Sequence, residues 1–77
     1  MTNTKMLQEI IKKSGLKLQY IADELGISRM ALNNKINNLS QFKSGEISKL
    51  CVILKIESLA EKESLFFARE VAETATL

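Results

Sequence analysis

LQYIADELGISRMALNNKIN, residues 18 to 37, is the stretch that decides the fold. Two short amphipathic segments meet at Gly26. The first places Ile21, Ala22 and Leu25 on one face, and the second keeps an apolar seam at Leu32 and Ile36. Both spacings follow the period of an α-helix. The far side of the second segment carries Met30, Asn33, Asn34 and Asn37, with Arg29 at its N-terminal edge. Asn is a poor helix former, because its side chain competes for backbone hydrogen bonds. Three Asn on one short helix therefore point to a surface selected for what it touches; a plain solvated face is the alternative. Arg and Asn suit bidentate hydrogen bonding to guanine and adenine edges. A sharp crossing of two helices needs a small residue at the turn, and Gly26 supplies it. Ala22 is small where the helices approach, Ile27 can plug the gap under the turn, and Ser28 is a good N-cap. The pattern predicts a helix-turn-helix whose second helix faces duplex DNA.

Outside this stretch the only other glycines are Gly15 and Gly45, and there is no Pro. Each Gly marks a break between periodic segments. Leu7, Ile10, Ile11 and Ser14 predict a first helix from about Thr4 to Ser14, with Gly15 placed for a C-terminal cap. The second helix spans about Leu18 to Leu25, and the third runs from the Ser28 cap to about Asn37. Beyond a polar loop from Asn38 to Lys43, Ile47, Leu50, Cys51 and Leu54 mark a fourth helix. It runs from about Gly45 to Leu54, with Ser44 as cap and Glu46 favourably placed in the helix dipole. Ser58-Leu59-Ala60-Glu61 is a capping-box pattern that opens a short fifth helix at Leu59. Five short helices with short connections predict one all-α domain over residues 1–65. A C-terminal segment, 66–77, follows, and its end is expected to fray.

Seventy-seven residues bury one small core, so oligomerisation is expected. Hydrophobic content of 45% with 26% charged residues argues against disorder for most of the chain. The longest apolar run, Leu50 to Leu54, is far short of the roughly 20 residues that span a bilayer. The N-terminus shows no apolar leader, so a cytoplasmic protein without a membrane partner is expected. Cys51 is the only cysteine, and its helical neighbours suit a buried structural thiol. With no His, no glycine-rich phosphate loop and no metal-ligand cluster, no catalytic residue, metal or cofactor is expected. Charge is uneven: residues 1–56 hold nine Lys/Arg against four acids, and residues 57–77 hold two against five. A basic body with an acidic tail suits nucleic-acid binding, and a mixed solvated surface is the plainer alternative.

Recognition helices present their N-terminal residues to base edges. Arg29, Met30 and Asn33 are thus the first candidates for base contact, with Asn34 next. Met30 has no hydrogen-bond donor; a thymine methyl or a partner protein could cover it. Phosphate candidates flank the helix. Lys17 and Gln19 stand at the start of the second helix, whose free N–H groups can face the DNA backbone. Ser28, Lys35, Asn37, Asn38, Ser40, Gln41 and Lys43 complete the set; such contacts position a protein without reading sequence. Leu65, Phe66, Phe67 and Val71 are too apolar for a free tail. Core closure, a dimer interface and docking of another protein all remain open for them. The alternation Phe67, Arg69, Val71 also suits a short strand.

The chain resembles the Cro/cI-type, Xre-like helix-turn-helix family. Ala22, Gly26, Ile27, Ser28, Leu32 and Ile36 stand where that family places its small residue, turn glycine, plug, cap and core contacts. The likeness covers about residues 5–65. The pattern AxxLGxSxxAxxNxI looks like the phage Cro subset, and FKSGEI and LFFAREV are similar to small phage and prophage regulators. The resemblance implies a compact five-helix, lambda-repressor-like DNA-binding domain. It also implies an operator read by the third helix in the major groove, and a homodimer on a near-palindromic site. Two positions depart from the family. Many relatives carry Gln at the first residue of the second helix, where this chain has Leu18 followed by Gln19. The loop after the third helix commonly reads Asn-Gly; here Asn37-Asn38-Leu39 must supply any left-handed residue, which Asn tolerates. The expected function is a sequence-specific repressor that blocks a promoter. The competing expectation is a modulator or antirepressor that keeps the fold but binds another repressor protein, and an antitoxin-like role is a variant of both.

Overall fold

Three of the five helices start at a residue whose side chain accepts one of their first free N–H groups. The computed structural model describes residues 1–67. Among them are five helices and no strand: α1 (Thr4–Ser14), α2 (Leu18–Leu25), α3 (Arg29–Ile36), α4 (Ser44–Ile53) and α5 (Leu59–Phe66). Asn3 Oδ1 accepts from the Met6 N–H at 3.2 Å, Ser28 Oγ from Ala31 at 3.0 Å and Ser58 Oγ from Glu61 at 3.3 Å. α4 begins one residue earlier than the sequence suggests. Ser44 is its first helical residue and Lys43 its cap, and the Glu46 carboxylate accepts the Lys43 N–H at 2.9 Å. α3 ends one residue earlier, at Ile36, so Asn37 is its C-cap. Arg69 and Val71, with the strand they suggested, lie outside the described residues.

The α2–α3 turn closes by a left-handed cap. Gly26 has φ 72°, its N–H returns to the Asp23 carbonyl at 3.1 Å, and the Ile27 N–H reaches the Ala22 carbonyl at 3.0 Å. A Cβ built on Gly26 meets no atom within 4 Å. Gly26 is therefore required for its backbone sign, not to make room for crossing helices, which corrects the reason drawn from the sequence. Ile27 is half-buried and packs on the core, as a plug should. α4 ends in the same conformation without a glycine: Lys55 has φ 57°, and the Ile56 N–H reaches the Cys51 carbonyl at 2.8 Å.

Every helix contributes at least one wholly enclosed residue: Leu7, Ile21 with Ala22, Leu32, Leu50 and Leu65 are 0% exposed. α2 touches α3 and α4, while α1 touches α3 and α5. Leu65 and Phe66 are buried in this core, and the Phe66 ring meets Phe42 edge-on with centroids 5.8 Å apart. Of the open readings for the C-terminal residues, these two follow core closure, whereas Phe67 is exposed. The N-terminal residues are tied to the same place: the Asn3 N–H donates to the Leu65 carbonyl at 2.6 Å. No helix among the described residues is long and apolar enough to cross a membrane.

Because a side chain in the left-handed region costs about 1–2 kcal/mol, Gly26→Ala should lower unfolding free energy by about that amount. Gly26→Asn should cost clearly less, since Asn tolerates this conformation. Urea denaturation of the two variants checks both values, and equal losses would place the demand on space instead.

Candidate nucleic-acid interface

The rotation of α3 about its own axis follows from its inner row. Leu32 is 0% exposed and Ile36 is 2% exposed, against α1 and α2. Met30 and Asn33 are thereby left in solvent. Arg29 falls on the same helical row as Leu32 and Ile36 yet is exposed, because it is the first residue of the helix and lies beyond the end of the core. Arg29, Met30 and Asn33 share an open groove with Leu18, the first residue of α2. Leu18 is half-buried and packs on the core, so its place in the groove is set by α2.

Most of the polar groups after Asn33 are taken up within the fold. Asn34 is half-buried, and its carbonyl accepts the N–H groups of Leu39 at 2.8 Å and Ser40 at 3.4 Å. These bonds take up the backbone carbonyl alone; the Asn34 side chain makes no hydrogen bond among the described residues and is less exposed than that of Asn33. Asn37 turns its amide back to the Asn33 carbonyl at 2.9 Å, satisfying the helix end. Asn38 takes the left-handed conformation that the missing glycine demands, with φ 65°. Its side chain clasps the N-terminal segment: Oδ1 accepts the Thr2 N–H at 2.9 Å and Nδ2 donates to the Thr2 carbonyl at 2.8 Å. Thr4 Oγ1 adds a bond to the Ile36 carbonyl at 2.6 Å. Asn38 was expected on a phosphate; its amide instead holds the chain's own backbone.

Lys35 requires the same correction. It is buried, and its ammonium meets Glu46 Oε1 at 2.6 Å, bridging α3 to α4. Burial alone would push the Glu46 carboxyl up. The hydrogen bonds from Lys35 and from the Lys43 N–H, with the charges of both lysines, outweigh it and hold the group below its ordinary value. Burial pushes the Cys51 thiol up, more than Lys62 draws it down, which keeps it a thiol. Gln19 spends its amide on Asp23 Oδ1 at 2.9 Å within α2.

Of the remaining candidates Lys17, Ser28, Ser40, Gln41 and Lys43 are exposed; Lys17 and Ser28 adjoin the groove residues Leu18 and Arg29 in the chain, whereas Gln41 lines a separate pocket with Asn38 and Phe66. Ser28 Oγ accepts the Ala31 N–H and keeps its own proton to donate. No side chain caps α2, so the N–H groups of its first turn are open to an anion. Tyr20, which sequence reasoning passed over, is exposed on that first turn and adds a phenol there. Its only signal in the sequence is an aromatic residue beside Gln19 and off the Ile21–Leu25 face. The arrangement offers hydrogen-bonding side chains on a helix start, flanked by cations and a free helix N-terminus. Comparison of the chain with protein-family models, with curated proteins and with solved structures found no match.

The Lys35–Glu46 bridge has a pH signature. A folded-state carboxyl below its unfolded value contributes stability that is complete above the unfolded value, about 4.3, and is lost as pH falls through the folded value. Glu46→Gln should remove that acid-sensitive part of the stability profile. At neutral pH it should cost about 1–3 kcal/mol, because Lys35 is left buried without its counter-charge. Thermal unfolding followed from neutral to acid pH measures both; a variant with the parent's profile contradicts the assignment.

Proposed function

We propose that the chain is a sequence-specific DNA-binding regulator of transcription, a repressor of the phage or prophage kind working in the cytoplasm. As a homodimer it seats α3 in the major groove of a near-palindromic operator and blocks a promoter by occupying it. One observation carries this reading: the exposed side chains of α3 that make no hydrogen bond among the described residues, Arg29, Met30 and Asn33, line one groove at the start of the helix. That is the part of a recognition helix that meets base edges. Arg29 matches the two acceptors of guanine, and Asn33 the donor and acceptor of adenine. Asn34, half-buried, is the less exposed candidate for a base.

Lys17, Ser28, Ser40 and Lys43, with the open N-terminus of α2, would hold phosphates and set the register of the helix in the groove. Lys35 and Asn38 drop out of that set because their polar groups are spent inside the chain, whereas the exposed Gln19 keeps a second amide N–H beside its bond to Asp23. A small core and the exposed Phe67 at the end of α5 favour pairing with a second copy. The competing reading, a modulator that binds another repressor protein, draws on exposed apolar side chains: Met30 is 74% exposed and Phe67 58%.

Selection from a pool of random duplexes, followed by binding isotherms at several salt concentrations, tests the choice. A regulator enriches one sequence, and its binding constant falls linearly on a log–log plot with a slope of about −0.9 per phosphate contacted. Arg29→Ala and Asn33→Ala should each cost about 1–3 kcal/mol on the selected site. Lys43→Ala should weaken selected and random duplexes alike. Failure to retain any duplex at low salt, with capture of a repressor protein instead, moves the conclusion to the modulator.

A further inference from the structure

The groove at the start of α3 is half apolar, and its two apolar side chains come from different helices. Leu18 is the first residue of α2 and Met30 the second of α3; Arg29 and Asn33 are its other lining residues. Leu18 is held by its packing on the core, whereas Met30 stands 74% in solvent. The two therefore differ in mobility: one is a fixed wall, the other an unbranched, adaptable thioether that can close on a small apolar group. Among the described residues Met30 is left exposed, and no carboxylate lines this groove.

Resting on the DNA-reading function above, we propose that Leu18 and Met30 form a seat for the C5-methyl group of a thymine. The occupant follows from the surroundings. A guanidinium and a carboxamide flank the apolar pair, and Lys17 and Ser28 adjoin it in the chain. An edge bearing one methyl group among hydrogen-bonding atoms, beside a phosphate, fits that mixture better than an apolar protein helix does. Thymine alone of the four bases presents a methyl group in the major groove. Arg29 and Asn33 would then read the neighbouring bases by hydrogen bonds, while the thymine is read by burial of its methyl.

Replacing each thymine of the selected duplex by deoxyuridine, one at a time, removes the methyl and nothing else. The seat predicts one thymine per half-site at which the parent protein loses about fourfold in affinity, the value of one buried CH2-sized group. Met30→Ala, at an exposed position, should bind thymine and uracil equally there and leave every other position unchanged. Leu18→Ala, with the fold checked by thermal unfolding, should likewise bind thymine and uracil equally at that position. Indifference of the parent protein to uracil everywhere overturns the seat while leaving DNA binding intact. Sensitivity that survives Met30→Ala also overturns it. Binding of no duplex at all overturns the DNA reading and the seat together.

Discussion

Burial of Leu32 beneath α2 is the contact on which the outer face of α3 depends. An eight-residue helix is too short to be stable alone, and its stability comes from packing its apolar face. Fully burying a Leu contributes about 1.5–3 kcal/mol, and Ile36 adds a second contact one turn on. A rotation of α3 by one residue would drive Asn33 into the core, where an unpaired amide costs about 1–3 kcal/mol. The inner row thus fixes which side chains can reach outward. The left-handed Gly26 then fixes where the helix starts, because the chain must leave α2 through the bonds to Ala22 and Asp23.

The polar residues after Asn33 hold this geometry from the other end. Asn38 and Thr4 tie the end of α3 to the N-terminal segment, and that segment is bonded in turn to the end of α5. Lys35 and Glu46 tie α3 to α4. Such groups add little net stability when fully paired, but breaking one leaves its partner buried and unsatisfied. The side chains of α3 are therefore divided: Leu32, Lys35 and Ile36 are committed to the frame, and Arg29, Met30 and Asn33 are free to meet a ligand. A rigid support for a few free side chains is what reading a base sequence requires.

Helix positions were legible because Gly15, Gly26 and Ser58 punctuate the chain and the apolar spacings between them hold one period. The inner seam Leu32–Ile36 and the buried Cys51 were legible for the same reason. The Asn residues were not. Side-chain type alone does not separate an Asn that faces solvent from one that clasps backbone thirty-six residues away, as Asn38 does with Thr2. Lys35 was read as a phosphate ligand because its counter-ion, Glu46, lies eleven residues on, across a loop that no helical period can register. The left-handed Lys55 carried no Gly or Asn to announce it. These corrections concentrate the candidate face on Arg29, Met30 and Asn33 instead of spreading it over every polar position of the helix.

The division of α3 is tested most directly by amide chemical shifts of the chain during titration with a selected duplex. The account predicts the largest changes from Arg29 to Asn33, with further changes from Lys17 to Tyr20 and from Ser40 to Lys43, and little movement at Leu7, Leu50 or Leu65. Changes centred on Val52, Ile56 and Lys62 between α4 and α5, with the amides of Arg29 to Asn33 unmoved, would contradict it.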